Sequence, residues 1–294
     1  MPRLRIIHST QYRYRMPVRL LVHRLMLRPQ DSHDLRLHAA TLAVDPAPGS
    51  TRWAHDVFDN SVCLLEWPEA MRIDHLSIVS ELDLTHFPGG TGLPRATLDP
   101  MAEMFPFAYA ADEVPDLARL AERQVADPGR AVEGWVRQFT GWTRPTLGLL
   151  QAMTEAIHRG FSYIQREAEG TQAPAETLAR GSGTCRDFAL LMMEAARSLG
   201  LAARFVTGYL YDSGTTMTGG GATHAWCSIY LPGAGWVEYD PTNGLTAGAN
   251  LVRVGSTRTP GQAVPVAGGF VGNSDDALGM TVNVSVAMLP EKLG

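Results

Sequence analysis

A long apolar helix followed by three short strands, between residues 185 and 240, most limits how this chain can fold. The segment CRDFALLMMEAARSLG has an apolar stripe at helical spacing and ends at Gly200, where a glycine typically follows a helix. The stripe consists of Phe188, Leu191, Met192, Ala195 and Leu199. LAARFVTGYLY, THAWCSIYLP and WVEYD come next, with the β-branched and aromatic residues typical of strands. The sequence therefore predicts a helix packed on an antiparallel sheet.

The whole chain divides into two parts at a segment rich in proline and glycine, THFPGGTGLPRATLDP. Before it, RIIHSTQYRYR, RLHAATLAVDP and HLSIVSELDLTH predict strands, so we expect residues 1–97 to form an antiparallel β domain. After it we expect a second domain at 98–294, which opens with a helical connector over 98–145. TVNVSVAML alternates strictly and predicts a C-terminal strand at 278–289 within that second domain. The overall prediction is an α+β fold.

Composition excludes several classes of partner. The chain has 294 residues, 45% of them hydrophobic and 19% charged, and a formal net charge of −5. It lacks the clustered lysines and arginines of a nucleic-acid groove. No run approaches the ~20 apolar residues of a membrane span, and the N-terminus lacks the ~7–15 apolar residues of a secretory signal. We therefore expect a cytoplasmic protein that binds neither nucleic acid nor membranes.

The side chains that usually bind metals are dispersed along the sequence. The cysteines Cys63, Cys185 and Cys227 form no C-x-x-C pair, and the nine histidines show no H-E-x-x-H spacing. The pair Asp275 and Asp276 lacks the alternating oxygen ligands of a calcium loop. We therefore expect no metal site and no cofactor.

Cys185 is the candidate nucleophile. A thiol attacks as its thiolate, so a catalytic cysteine needs a lowered pKa and a base nearby. Cys185 follows GSGT and begins the apolar helix, where free backbone N–H groups and the positive end of the helix dipole favour a negative charge. The same N–H groups can stabilise an oxyanion. Taken alone, a cysteine in this position is more often a small core residue.

His224 and Asp240 are the candidate base and the group that orients it. His224 begins the strand THAWCSIYLP, and Asp240 ends the strand WVEYD, which is adjacent if Pro232 to Gly235 form a turn. That turn would return the Asp240 carboxylate to His224, where we expect it to bind the Nδ1–H group. Each residue alone is also explained as a buried histidine or a turn aspartate. The three together, in this order, favour a catalytic triad.

The same segments resemble a known family. GTCRDFALLMMEAARSLGLAARFVTGYL and THAWCSIYLPGAGWVEYDPTNG are similar to the Cys, His and Asp blocks of the bacterial transglutaminase-like superfamily, over residues 146–246. The resemblance implies a papain-like fold in which Cys185 matches the nucleophile, His224 the histidine and Asp240 the acid. QYRYRMPV and HDVFDN resemble the N-terminal region found in many such bacterial proteins.

Two segments depart from the family pattern. Asp59 stands where the family commonly has glycine, and because aspartate can adopt a positive φ at some cost, we expect the turn to survive. Gly255, Ser256 and Thr257 occupy a segment that usually reads G-R-D-Y, which leaves the contribution of residues 251–270 open.

Two aromatic residues and one loop are candidates for the cleft around the triad. Tyr163 is a candidate to line the acyl site or to complete the oxyanion hole, and Trp226 is a candidate cleft wall. Core packing also explains both, since aromatic side chains bury large areas. The glycine-rich loop 212–222 beside His224 is a candidate lid.

Three charged residues have predicted structural roles. Arg186 and Asp187 are expected to form an ion pair beside the nucleophile. Arg204 is expected either to support a buried carboxylate or to lie at the surface.

The predicted function is cysteine-dependent acyl transfer on peptide or isopeptide amide bonds through a thioester. We expect water to resolve the thioester, which would make the protein a peptidase or amidase acting on a peptide or protein substrate. A primary amine in place of water would make it a transglutaminase. A non-catalytic binding module on the same fold is a further alternative. The sequence leaves the substrate sequence and the oligomeric state open.

Overall fold

The computed structural model describes residues 1–88, 97–141, 144–166, 170–211, 223–246 and 250–289. The helices are α1 (Val114–Ala121), α2 (Ala131–Arg137), α3 (Thr146–Gly160), α4 (Pro174–Arg180) and α5 (Cys185–Ser198). The strands before α1 are β1 (Arg3–Leu20), β2 (His23–Leu25), β3 (Leu35–Asp45), β4 (Ser50–His55), β5 (Ser61–Glu66), β6 (Ile73–His86) and β7 (Met104–Phe105). The strands after α2 are β8 (Arg144–Pro145), β9 (Ser162–Tyr163), β10 (Ser182–Gly183), β11 (Ala203–Leu210), β12 (Thr223–Leu231), β13 (Gly235–Asp240), β14 (Leu245–Thr246), β15 (Leu251–Thr257), β16 (Val266–Ala267), β17 (Phe270–Val271) and β18 (Ala277–Leu289). The mixture of helices and antiparallel sheets confirms the predicted α+β class.

Two antiparallel sheets form the N-terminal part of the molecule. One contains β1, β6 and β3, and the other contains β2, β5 and β4. Alternate residues of β6 are buried, as expected for a strand with one face toward a core. Leu25 and Leu65 of one sheet pack with Leu76 and Ile78 of the other. The N-terminal part is therefore a β-sandwich whose core lies between the two sheets.

The C-terminal strand β18 lies in the N-terminal sheet. It pairs with β1 in an antiparallel ladder that runs from Arg3 opposite Leu289 to Tyr14 opposite Ala277. Its assignment to the second domain was therefore wrong, although its extent was predicted closely. Strict alternation identifies a strand, but it does not identify the strand's partner, and the long β1 offers a free edge.

Outside the sandwich, a further sheet carries the strands predicted after the apolar helix, and it is called the second sheet below. Its order is β14-β13-β12-β11-β15, and all its neighbouring strands are antiparallel. Helix α5 packs against one face, where its apolar stripe meets Ala225, Cys227 and Ile229 of β12 and Tyr239 of β13. The predicted arrangement of a helix on an antiparallel sheet is confirmed.

The sandwich and the second sheet share one apolar cluster. Leu4 and Leu82 from the sandwich pack with Tyr209 and Val252 from strands β11 and β15. Two buried histidines of the sandwich also bind tyrosines at the end of β11. His8 Nδ1 lies 3.1 Å from the Tyr209 hydroxyl, and His86 Nδ1 lies 3.0 Å from the Tyr211 hydroxyl.

Candidate active site

Cys185 begins α5, and the residues around it explain why the helix starts there. The Thr184 hydroxyl accepts a hydrogen bond from the Asp187 N–H (3.4 Å), and the Asp187 carboxylate accepts one from the Thr184 N–H (2.8 Å). This reciprocal pair is a capping box, which satisfies backbone donors that a helix start leaves free. Cys185 lies at the positive end of the helix dipole with 7% of its surface exposed.

A buried cluster around Asp187 holds this helix start in place. Asp187 Oδ1 accepts hydrogen bonds from Arg166 Nη2 (2.9 Å) and from the backbone N–H of Gln172 (2.7 Å). The predicted ion pair between Asp187 and Arg186 was wrong, because the partner of Asp187 is Arg166. Adjacent residues on a helix point in different directions, which leaves the carboxylate free to bind a residue distant in sequence.

His224 and Asp240 form a buried pair at the ends of neighbouring strands. His224 Nε2 lies 2.8 Å from Asp240 Oδ2, and neither side chain is accessible to solvent. Strands β12 and β13 are antiparallel, with Cys227 opposite Tyr239, so the hairpin returns Asp240 to the start of β12. The predicted contact is present, but the nitrogen differs: Asp240 binds Nε2 rather than Nδ1.

The turn after β13 fixes the Asp240 carboxylate. Its Oδ1 accepts a hydrogen bond from the Thr242 N–H (2.9 Å), and its Oδ2 accepts one from Asn243 Nδ2 (2.8 Å). His158 Nδ1 on α3 lies 2.8 Å from the Thr242 carbonyl oxygen and holds the turn from outside. Sequence analysis did not single out Asn243 or His158. The DPTNG segment was the available signal for Asn243, because asparagine often stabilises such turns.

The charge on Asp240 controls the titration of His224. Burial alone would lower the pKa of His224, but the charge and hydrogen bond of Asp240, together with Cys185, raise it well above its usual value. Burial opposes ionisation of Asp240 as well, yet the His224 charge and the hydrogen bonds to Asp240 keep its pKa below its usual value. At neutral pH the pair is therefore an imidazolium beside a carboxylate.

The other ring nitrogen of His224 is left for Cys185. Nδ1 is buried and has no hydrogen-bond partner among the residues that the structure describes. Cys185 acts on the same ring, since it contributes to the raised pKa of His224. The structure thus brings together the three residues predicted from the sequence, with the imidazole between the carboxylate and the thiol.

Trp226 lies beneath the His224 ring. The two rings stack with centroids 6.0 Å apart and an angle of 27° between their planes, and Trp226 is fully buried. Gly208 on β11 leaves space for the indole, because a Cβ there would lie 2.8 Å from Trp226 Cη2. Trp226 therefore packs the sheet and supports the His224 ring, which is the alternative stated from the sequence.

Tyr163 lies beside the segment that leads into Cys185. It pairs in parallel with Gly183, and the Ile164 N–H donates to the Gly183 carbonyl oxygen (3.0 Å). Burial raises the pKa of Tyr163 to about 12, and the nearby Cys185 adds to that rise. The phenol is therefore protonated at neutral pH and has an O–H group to donate near the sulfur.

The two departures from the family pattern lie away from the triad. Asp59 adopts a left-handed conformation with φ of 64°, so the turn survives without glycine. Gly255 and Ser256 lie where β15 meets the sandwich: the Ser256 N–H donates to Asn60 Oδ1 (2.8 Å), and a Cβ at Gly255 would lie 2.4 Å from Met26 Sδ. This segment therefore joins the two parts of the molecule. The candidate lid 212–222 lies outside the described residues.

Neither a metal cluster nor a membrane span is found in the described part of the chain. Within the ranges given above, no three His, Cys, Asp or Glu side chains are grouped so that they could hold a metal ion. No helix in those ranges is long and apolar enough to cross a membrane.

Comparison with known families confirms the resemblance seen in the sequence. The bacterial transglutaminase-like N-terminal region matches residues 4–85, and the transglutaminase-like superfamily matches residues 133–241. The second match contains Cys185, His224 and Asp240. The chain thus has a region similar to the bacterial transglutaminase-like N-terminal region, followed by a region similar to the transglutaminase-like core.

Relatives match along nearly the whole chain. The uncharacterized protein Mb2599c of Mycobacterium bovis is 28% identical over 297 residues, which cover 98% of this chain and 93% of that protein. The uncharacterized protein ML0607 of Mycobacterium leprae is 26% identical, with 96% and 98% covered. Among solved structures, a “Putative Cysteine Protease from Cytophaga hutchinsonii” has a TM-score of 0.70 at 17% identity and covers 100% of this chain and 92% of its own. This likeness confirms the fold.

Proposed function

We propose that this protein is a cysteine-dependent hydrolase of peptide or isopeptide amide bonds. The observation that carries the proposal is the buried His224–Asp240 pair, which leaves one ring nitrogen for Cys185 at the start of α5. A protonated imidazole and a helix N-terminus both favour a thiolate over a thiol. Cys185 is accordingly the nucleophile, His224 the proton carrier and Asp240 the residue that orients the imidazole.

The proposed reaction has two stages. The Cys185 sulfur forms a bond to the carbonyl carbon of the amide, and the carbonyl oxygen becomes an oxyanion that the Cys185 N–H and the Tyr163 O–H stabilise. The C–N bond then breaks as His224 transfers its proton to the departing nitrogen, which leaves as an amine, and a thioester remains on Cys185. In the second stage His224 removes a proton from water, the resulting hydroxide attacks the thioester, and the carboxylic acid and the thiolate are released.

The choice of water as acceptor is part of the proposal. It is supported by the papain-like arrangement of the site and by the name of the Cytophaga hutchinsonii structure, which denotes proteolysis. A transglutaminase would pass through the same thioester and differ only in the acceptor, so the products distinguish the two reactions.

Product analysis tests this proposal. We would incubate the full chain with a peptide library that contains glutamine and lysine, with and without an excess of a primary amine, and identify the products by mass spectrometry. Chain cleavage or deamidation that is independent of the amine supports hydrolysis, whereas incorporation of the amine shows a transglutaminase. Cys185→Ala is the control, and activity that persists in it would exclude the proposed nucleophile.

A non-catalytic role is tested through the reactivity of the thiol. The alkylation rate of Cys185 by iodoacetamide, measured across pH, gives the midpoint of the thiol's titration, which is about 8.5 for a free cysteine. His224→Ala should move the midpoint of this titration upward. A midpoint near the ordinary value that His224→Ala does not change would contradict an enzyme and favour a binding module.

A further inference from the structure

A cavity of about 620 Å³ lies between the sandwich and the second sheet. Residues from 30–35, 58–60 and 86–88 line one side, and residues of β13, β15 and their flanks line the other. Small-molecule sites commonly have volumes of ~300–1,000 Å³ and occur preferentially at domain interfaces. The candidate triad contributes none of the lining residues. The cavity is therefore a separate place in the molecule.

Arg204 of β11 lines this cavity and forms no direct ion pair with the residues that the structure describes. Its guanidinium carbon lies 3.8 Å from the centre of the Trp236 ring. In the part of the chain that the structure describes, its hydrogen bonding is limited to Ser228 Oγ, 3.5 Å from Nε, and no carboxylate lies within 4.0 Å. Stacking on the aromatic ring restrains the guanidinium, and its Nη groups make no hydrogen bond to the described residues. An arginine in this state can bind a carboxylate through two parallel hydrogen bonds.

The carboxylates of the cavity are held by a different arginine. Arg253 Nη2 lies 3.5 Å from Asp34 Oδ2, and its Nη1 lies 3.7 Å from Glu238 Oε1. Asp59, the remaining lining carboxylate, has 75% of its side chain exposed and pairs with His55. The acidic groups thus have direct partners other than Arg204, and Glu238 acts on Arg204 only through its charge at longer range.

Burial affects both Arg204 and its neighbour Glu238. It lowers the pKa of Arg204 to about 9 and raises the pKa of Glu238 to about 7, so Glu238 is only partly ionised at neutral pH. The charge of Glu238 acts on Arg204 only from beyond 4.0 Å. A cation that is partly removed from water and has no counter-charge in direct contact destabilises the free protein. An anionic group that entered the cavity would supply that counter-charge.

We propose that this cavity binds a carboxylate group, carried by a small organic acid or by the C-terminus of a peptide, and that Arg204 is the residue that binds it. Trp236 holds the guanidinium in the plane that presents both Nη groups to the ligand. Arg253, already shared between two carboxylates, contributes attraction at longer range. Binding at this site involves no step of the proposed acyl-transfer reaction, so a test of one proposal does not decide the other.

Calorimetric titration tests the proposal in the full chain carrying Cys185→Ala, which cannot turn over a peptide. The probes are glutarate, triglycine, triglycine amide and 1,5-diaminopentane, all at the same ionic strength. We expect saturable binding of glutarate or triglycine at one site and no binding of the amide or the diamine. Tighter binding of glutarate identifies an organic acid as the ligand, and tighter binding of triglycine identifies a peptide C-terminus. Failure of both carboxylates to saturate at about 10 mM overturns the proposal.

Variants locate the binding. Arg204→Gln should weaken binding about tenfold or more, since a charge-assisted hydrogen-bond pair is lost. Arg119→Gln is the matched control, because Arg119 is exposed and pairs only with Glu122 in the described structure; it should bind like the parent. Arg204→Lys keeps the charge and removes the planar fork, so it tests the site even if the glutamine variant fails to fold. Unchanged affinity in either Arg204 variant overturns the assignment.

Discussion

The substitution Asp187→Asn tests whether the cluster under Cys185 is what holds the nucleophile in place. Five donors surround the Asp187 carboxylate: Arg166 Nη2, the backbone N–H and Nε2 of Gln172, and the backbone N–H and hydroxyl of Thr184. Asparagine has nearly the same shape but replaces one acceptor oxygen with an NH₂ group. That group would point at donors, and the positive charge of Arg166 would lose its partner.

The expected cost follows from these contacts. At least one or two buried donors would be left unsatisfied, at ~1–3 kcal/mol each, so the free energy of unfolding should fall by about 2–4 kcal/mol. A domain of ordinary stability, ~5–15 kcal/mol, would still fold. Because the capping box would also be broken, α5 would begin less regularly, and alkylation of Cys185 should slow.

Urea unfolding, monitored by circular dichroism, measures the change in the free energy of unfolding. Iodoacetamide labelling of the folded protein measures the change in the alkylation rate of Cys185. Glu176→Gln is the matched control, since Glu176 is exposed and pairs with Arg180 one helical turn away (2.8 Å). It should change stability by less than about 0.5 kcal/mol. If Asp187→Asn is as mild as this control, or if it unfolds more easily without any change in labelling, the cluster does not position the nucleophile.

Three further predictions concern the triad, the sheet and one turn. The raised pKa of His224 stabilises the folded state below its unfolded value of about 6.5, and this contribution is lost as pH rises through the folded pKa, so stability should decline above pH 6.5. Asp240→Asn removes the charge that causes the shift and should flatten that decline in urea titrations; an unchanged slope would contradict the coupling. Gly208→Ala places a Cβ 2.1 Å from the Val252 carbonyl oxygen and should cost about 1–3 kcal/mol in thermal unfolding, whereas Gly134→Ala, with no atom within 4 Å, should be neutral or stabilising. Asp59→Ala should destabilise by about 1 kcal/mol because of its positive φ, and Asp59→Gly should not; equal melting temperatures would show that the turn is unstrained.

Local patterns were sufficient to predict much of the second sheet and the three residues of the candidate triad. The apolar stripe after Cys185 predicted α5, and the segment WVEYD predicted β13 with Asp240 at its end. These signals lie within a few residues of the structure that they specify. The order of helix, strand and strand then constrained where His224 and Asp240 could meet, because antiparallel neighbours return to the same end of a sheet.

Contacts between distant segments could not be predicted in this way. Arg166 binds Asp187 from a segment before α4, and no periodic pattern connects the two residues. The choice of Nε2 over Nδ1 on His224 depends on how the ring is rotated between β12, β13 and α5, which sequence spacing does not determine. Strand β18 was recognised by its alternation, yet its partner β1 lies at the opposite end of the chain.

The division of the chain near residue 97 separates segments that are packed together. Leu4 and Leu82 of the sandwich are buried against Tyr209 of β11, and the Tyr209 hydroxyl is bound by His8. Strand β11 is the direct neighbour of β12, in which Gly208 lies opposite His224. The sandwich therefore stabilises the strand that lies beside His224 and closes one wall of the cavity that contains Arg204. Because β18 pairs with β1 and one apolar cluster contains residues of both parts, the two parts share a core.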